Sequence, residues 1–200
     1  MYGWMKYKHN NSLAICCVTG NIYNKQDMIK LVISENDGLL YFDPKHSLKG
    51  ESFFLTNSKS IVTKFLQKGI SGEDSSDIIK ELNKRLVVWE NTNLGEKIEK
   101  FYLTQMLSLI SLAKKAGNLI IGKEKISNDL QKAGIIIQAH DASHREKFSP
   151  SGRIMVCEVF DIAQLSKACG KENVRFLLIT NQIAESFKKF YDKYNCYLIG

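Results

Sequence analysis

The sequence predicts two folded units of different class: a small α+β unit over residues 1–70 and an α/β unit over residues 96–200. Three observations lead there. Short β-rich runs punctuated by turn residues crowd the N-terminal third. Strands alternate with helix-period stretches after residue 96, a pattern that predicts a sheet covered by helices on both faces. Between them Ser71-Gly72-Glu73-Asp74-Ser75-Ser76 holds no apolar residue, the composition of a boundary.

In the first unit, residues 28–34 (MIKLVIS) and 39–42 (LLYF) read as strands joined by an Asn36-Asp37-Gly38 turn, a hairpin signal. Residues 52–56 (SFFLT) supply a third strand. Ser58 has the place of an N-cap for a helix whose face carries Ile61, Val62, Phe65 and Leu66, and Gly69 is expected to end it. The linker, 71–95, places Ile78, Ile79, Leu82, Leu86 and Trp89 at helical spacing. A long helix then carries Ile98, Phe101, Tyr102, Met106, Leu107, Ile110 and Ala113. A second helix is expected from Gly122 to Gly134. A buried strand at 135–139, a short helix, a strand near 154–159, a helix from Asp161, a strand at 176–179 and a last helix complete the pattern. Ser143 with Glu146, and Asp161 with Gln164, have capping-box spacing.

Composition narrows the function. The net charge of +7 is unevenly spread: residues 1–70 carry 9 basic and 5 acidic side chains (+4), residues 71–100 carry 5 and 7 (−2), and residues 101–200 carry 14 and 9 (+5). Two basic ends attract polyanions and gain from counterion release. No apolar run approaches the roughly 20 residues of a membrane helix, and residues 1–12 are polar and basic without the apolar stretch of a secretory signal. The five cysteines have no C-x-x-C spacing, so reduced, mostly buried thiols in a cytoplasmic protein are expected rather than a disulfide framework or zinc site.

The most informative segment is residues 112–126, LAKKAGNLIIGKEKI. Lys114 and Lys115 end one helix, Gly117 caps it, an apolar link follows Asn118, and Gly122 opens the next helix. Lys123 and Lys125 occupy a first turn where the helix dipole disfavours cations, which points to an anionic partner. A glycine and the N–H groups of a helix start admit a phosphate backbone closely. His140, Asp141, Ser143 and His144 assemble no nucleophile–base–orienter set, and Asp141 and Ser143 are read as turn and cap residues.

This segment, with 135–143 and 162–174, resembles the kink-turn-binding ribosomal-protein superfamily, particularly its bacterial YlxQ-like members. The shared positions are Ala113, Ala116, Gly117, Leu119 and Gly122, then Ala139, Asp141, Ala142 and Ser143, then Leu165, Ala168 and Gly170, within about residues 103–190. The resemblance implies a three-layer α/β/α sandwich that binds structured RNA. Glu124 and Lys125 stand where the superfamily has Asn and Glu, and Asn128 stands where a lysine is usual. In the first unit Cys16, Val18, Thr19 and Gly20, then Lys30, Asp43 and Gly50, resemble the YlxR-like family, with Lys30 in the place of an arginine and Glu51 in place of the arginine of G-R-G. The two families joined in one chain are an arrangement of alphaproteobacteria.

The expected protein is therefore a non-catalytic, cofactor-free RNA-binding protein associated with structured RNA or the ribosome. The candidate RNA-binding residues are Lys114, Lys115, Asn118, Gly122, Lys123, Glu124, Lys125 and Asn128. Candidate nucleic-acid contacts in the first unit are Lys25, Lys30, Lys45, Lys49 and Gly50. An enzyme, a DNA-binding regulator and a protein-interaction adaptor are the alternatives. The first lacks a separate catalytic domain, and the second lacks a helix rich in clustered Arg, Asn and Gln.

Overall fold

A computed structural model describes residues 12–37, 39–71, 93–130, 134–149 and 154–200. The fold mixes α and β. The chain divides into two compact units, Met1–Ile98 together with Cys196–Gly200, and Glu99–Asn195. The boundary residues 72–76 and the helical pattern of 78–89 lie outside the described residues.

In the first unit β3 (Met28–Ser34) runs between β4 (Leu40–Phe42) and β5 (Gly50–Thr56), antiparallel to both. Asp37 organises the turn before β4, its carboxylate accepting from the Leu39 N–H at 3.0 Å and the Tyr41 hydroxyl at 2.7 Å. Two strands absent from the expectation precede this sheet, β1 (Leu13–Ile15) and β2 (Ile22–Asn24). Three residues each are too few to show a period. The Cys16–Gly20 turn between them is tied to β5 by the Cys17 N–H, which donates to the Phe54 carbonyl at 2.9 Å. Helix α1 (Lys59–Ser71) starts at Ser58, whose Oγ accepts from the Ile61 N–H at 3.3 Å. It passes through Gly69 rather than ending there, since a lone glycine costs a helix only about 1 kcal/mol. Ile29, Leu31, Leu55, Val62 and Phe65 are buried in the core.

The second unit holds most of α2 (Leu94–Lys115), whose buried Tyr102, Met106, Ile110 and Ala113 recur at helical spacing. Then follow β6 (Leu119–Ile121), α3 (Lys123–Asn128), β7 (Gly134–Gln138), a 3-10 turn at His144–Glu146, β8 (Met155–Cys157), α4 (Ile162–Cys169), β9 (Phe176–Thr180) and α5 (Asn181–Ile199). The sheet order is β6-β9-β7-β8, with β7 and β8 parallel and the other pairs antiparallel. β9 is buried along its whole length and β7 over Ile135–Gln138, so both faces of these central strands are shielded.

Three expectations are corrected here. The apolar link at 119–121 is an edge strand. The helix after Gly122 has six residues and stops at Asn128, where Ser127, Asn128 and Asp129 bring side chains that compete with helical hydrogen bonds. Ser143 makes no side-chain cap bond, because a single 3-10 turn follows it. The other capping box is present in full: Asp161 accepts from the Gln164 N–H at 2.7 Å, and the Gln164 side chain accepts from the Asp161 N–H at 3.1 Å. Asp161→Ala is expected to cost about 1 kcal/mol in chemical denaturation, and Gln164→Ala less. Equal stability of Asp161→Ala and the parent would show that the box is not engaged in solution.

Candidate functional site

The last turn of α2, the edge strand β6, helix α3 and the turn after α4 meet around an open groove of about 530 Å³. Leu119, Ile120 and Ile121 line it together with Lys114, Lys125, Asn128, Asp129 and Lys171. Local sequence explains the convergence. The Gly117 N–H donates to the Lys114 carbonyl and the Asn118 N–H to the Ala113 carbonyl, closing α2 and turning the chain into β6. Gly170 ends α4 in the left-handed conformation, and Lys171 follows directly. The Lys114 ammonium lies against Gly170, 3.2 Å from where a Cβ would stand. Three exposed lysines face one aspartate, so the rim is positive. Such a rim with an apolar strip and one amide suits an anionic ligand that also carries uncharged surface.

Of the eight residues expected here, Lys114, Lys125 and Asn128 line the groove. Lys115 and Glu124 are exposed but do not line it. The Asn118 carbonyl accepts from the Thr180 N–H at 3.1 Å, tying β6 to the end of β9. Lys123 is engaged elsewhere, its ammonium 5.9 Å from the centre of the Phe148 ring. Gly122 differs most from expectation. Its N–H is already donated to the Phe176 carbonyl at 3.0 Å, and its φ of +104° is one that residues with a Cβ rarely adopt. The glycine is needed for the backbone itself, so its replacement would strain the fold and report poorly on binding. Lys171 was not anticipated; the signal was a lysine directly after a helix-ending glycine.

A polar cluster fixes the loop that carries Phe148. Gln138 is fully buried, and its amide accepts from the Phe148 N–H at 2.8 Å while donating to the Phe148 carbonyl at 3.2 Å and to Glu158 at 2.7 Å. Lys147 bridges Glu158 at 2.7 Å. Hydrogen bonds from Lys147 and Gln138 hold the Glu158 carboxyl below its ordinary pKa. Asp141 accepts from the Ile162 N–H at 3.0 Å and so serves the start of α4.

In the first unit the candidate contacts separate. Lys45 and Lys49 are exposed. Lys25 is half-buried, its ammonium 5.8 Å from the centre of the Phe54 ring. Lys30 is buried against Asp43 at 2.8 Å, which removes it from the candidate contacts. Asp43 also accepts from the N–H groups of Ser47 and Leu48 at 3.0 and 3.2 Å. Burial works to raise the Asp43 pKa, but the bonds from Lys30, Ser47 and Leu48 outweigh it and hold the carboxyl below the usual range. Gly50 is half-buried, and a Cβ there would stand 2.0 Å from the Ile33 carbonyl oxygen, so the close approach to β3 requires glycine.

All five cysteines are free thiols, with Cys196 alone exposed. Burial pushes Cys17 and Cys157 up to about 12, so both stay protonated. Among the described residues no group of three His, Cys, Asp or Glu is placed to hold a metal ion, and no helix is long and apolar enough to cross a membrane.

No protein-family model matches the sequence, and no curated protein matches it. A solved chain described as a protein with unknown function from Bacillus halodurans is similar at 24% identity, covering 44% of this chain and 96% of that one, with a TM-score of 0.39.

Proposed function

We propose that this protein is a non-catalytic RNA-binding protein of the cytoplasm, acting on structured RNA or at the ribosome, and that the groove of the second unit is its main RNA contact. The observation that carries this reading is the convergence of Lys114, Lys125 and Lys171, from three separate elements, around the apolar edge strand β6. Ammonium groups spread along a groove neutralise successive phosphates, while apolar side chains and an amide meet sugar and base. The reading also holds that the second unit is a three-layer sandwich of the YlxQ-like kind, supported by the burial of β7 and β9 on both faces. The first unit, on this reading, is YlxR-like.

The test is competition binding among hairpin RNA, single-stranded RNA and duplex DNA, on the parent and on Lys114→Ala/Lys125→Ala/Lys171→Ala. The parent is expected to prefer hairpin RNA. Each phosphate contact contributes roughly 0.7–0.9 to the slope of log K against log salt, so the triple variant should lose about 2 from that slope. An unchanged slope and affinity would remove the groove from the interface. Preference for duplex DNA would favour the regulator, and no nucleic-acid binding would favour the adaptor.

A further inference from the structure

We infer that Phe148 is a base-stacking contact of the same RNA site, a platform held in place by buried Gln138; this rests on the groove reading above. Four observations carry it. The Phe148 ring is only half-buried, standing edge-on to Phe176 with centroids 5.8 Å apart, so it retains accessible surface. Its backbone is clamped on both sides: Gln138 Oε1 accepts from the Phe148 N–H and Gln138 Nε2 donates to the Phe148 carbonyl. Gln138 is itself fully buried and braced by Glu158, which Lys147 holds in turn. These bonds fix the backbone that carries the ring. Lastly, the Lys123 ammonium lies 5.9 Å from the ring centre, so a cation stands beside the ring.

The ring flanks the groove and is not part of its lining. Phe176, against which it packs, accepts the Gly122 N–H through its carbonyl, so the ring stands near the junction of β6 and α3. Lys123 and the groove-lining Lys125 are two residues apart on α3, about 200° apart around its axis, so the ring lies beside the groove across the helix start. The contact of Lys123 with the ring is near the outer limit for a cation–π pair. An unpaired base can take the place of the ammonium over the ring, and the released Lys123 can reach that nucleotide's phosphate. Base–aromatic stacking of this kind accepts any base, and in RNA it requires an unpaired one.

The full-length protein is titrated with an RNA hairpin whose loop is adenylate, carrying one 2-aminopurine. A fully paired duplex of the same length serves as comparison. Binding should quench the 2-aminopurine, and the hairpin should bind more tightly than the duplex. Phe148→Leu should lower hairpin affinity about tenfold, relieve the quench, and leave duplex affinity and the salt slope as in the parent. Phe148→Tyr should restore both affinity and quench. If the parent binds the hairpin with no quench at any loop position, the stacking inference fails, whether or not Phe148→Leu folds. If Phe148→Leu binds as the parent while the triple lysine variant loses binding, stacking fails and the groove reading stands. If the parent binds neither RNA, the groove reading fails and takes this inference with it.

Discussion

Asp43→Asn is expected to destabilise the first unit by about 3–5 kcal/mol, the cost of leaving a buried charge without its partner. Lys30 and Asp43 are 10% and 2% exposed at the side chain, so water cannot replace the lost contact. The carboxylate also holds the Ser47 and Leu48 N–H groups, and an amide oxygen satisfies these less well. Chemical denaturation followed by hydrogen exchange at β3 and β5 would measure the effect. Lys30→Met with Asp43→Leu should recover much of the loss, because two apolar side chains remove both desolvation costs. A single variant as stable as the parent would show that the pair is open in solution.

The same pair sets a pH dependence with a definite sign. The Asp43 pKa is depressed in the folded state. Its contribution is therefore fully present above the unfolded carboxylate value of about 3.9 and is lost as pH falls through the lower folded value. Below that value the unfolded state gains no further advantage from this group. Acidification should therefore narrow the stability gap between the parent and Asp43→Asn.

The second large effect is at Gly50. A methyl group there would meet the Ile33 carbonyl oxygen at 2.0 Å, and φ is +138°. Backbone strain of this kind costs about 1–3 kcal/mol by itself, and the steric clash with Ile33 adds to it. Gly50→Ala is therefore expected to break the β3–β5 pairing at Ser34 and lower the unfolding midpoint of the first unit sharply. Gly20 is the control, with φ of +74° and no atom within 4 Å of where a Cβ would stand. Gly20→Ala should cost only about 1–2 kcal/mol, the left-handed backbone penalty without a steric clash. If the two variants are equally stable, the close approach at Gly50 is not present in solution.

Local pattern was enough to read much of this protein from its sequence. The strands at 28–34 and 52–56, the Asn36-Asp37 turn, the Ser58 cap and the Asp161 capping box depend on residues near one another in the chain, and each stands where the pattern placed it. The long helix carrying Tyr102, Met106 and Ile110 was legible for the same reason. The sequence also placed Lys114, Lys125 and Asn128 together, because the α2–β6–α3 stretch that carries them is continuous. Tertiary structure decided the rest. Lys171 joins that groove from a turn over forty residues further along, and only the return of α4 toward β6 brings it there. Phe148 takes its place from Gln138 and Glu158, on two other strand ends. Lys30 reads as an exposed cation until β4 brings Asp43 beside it. Gly122 and Gly50 read as openings for a ligand until the sheet shows that the backbone itself needs them. Sequence period reports which face of an element is apolar; which charged or aromatic side chain remains available depends on partners distant in the chain.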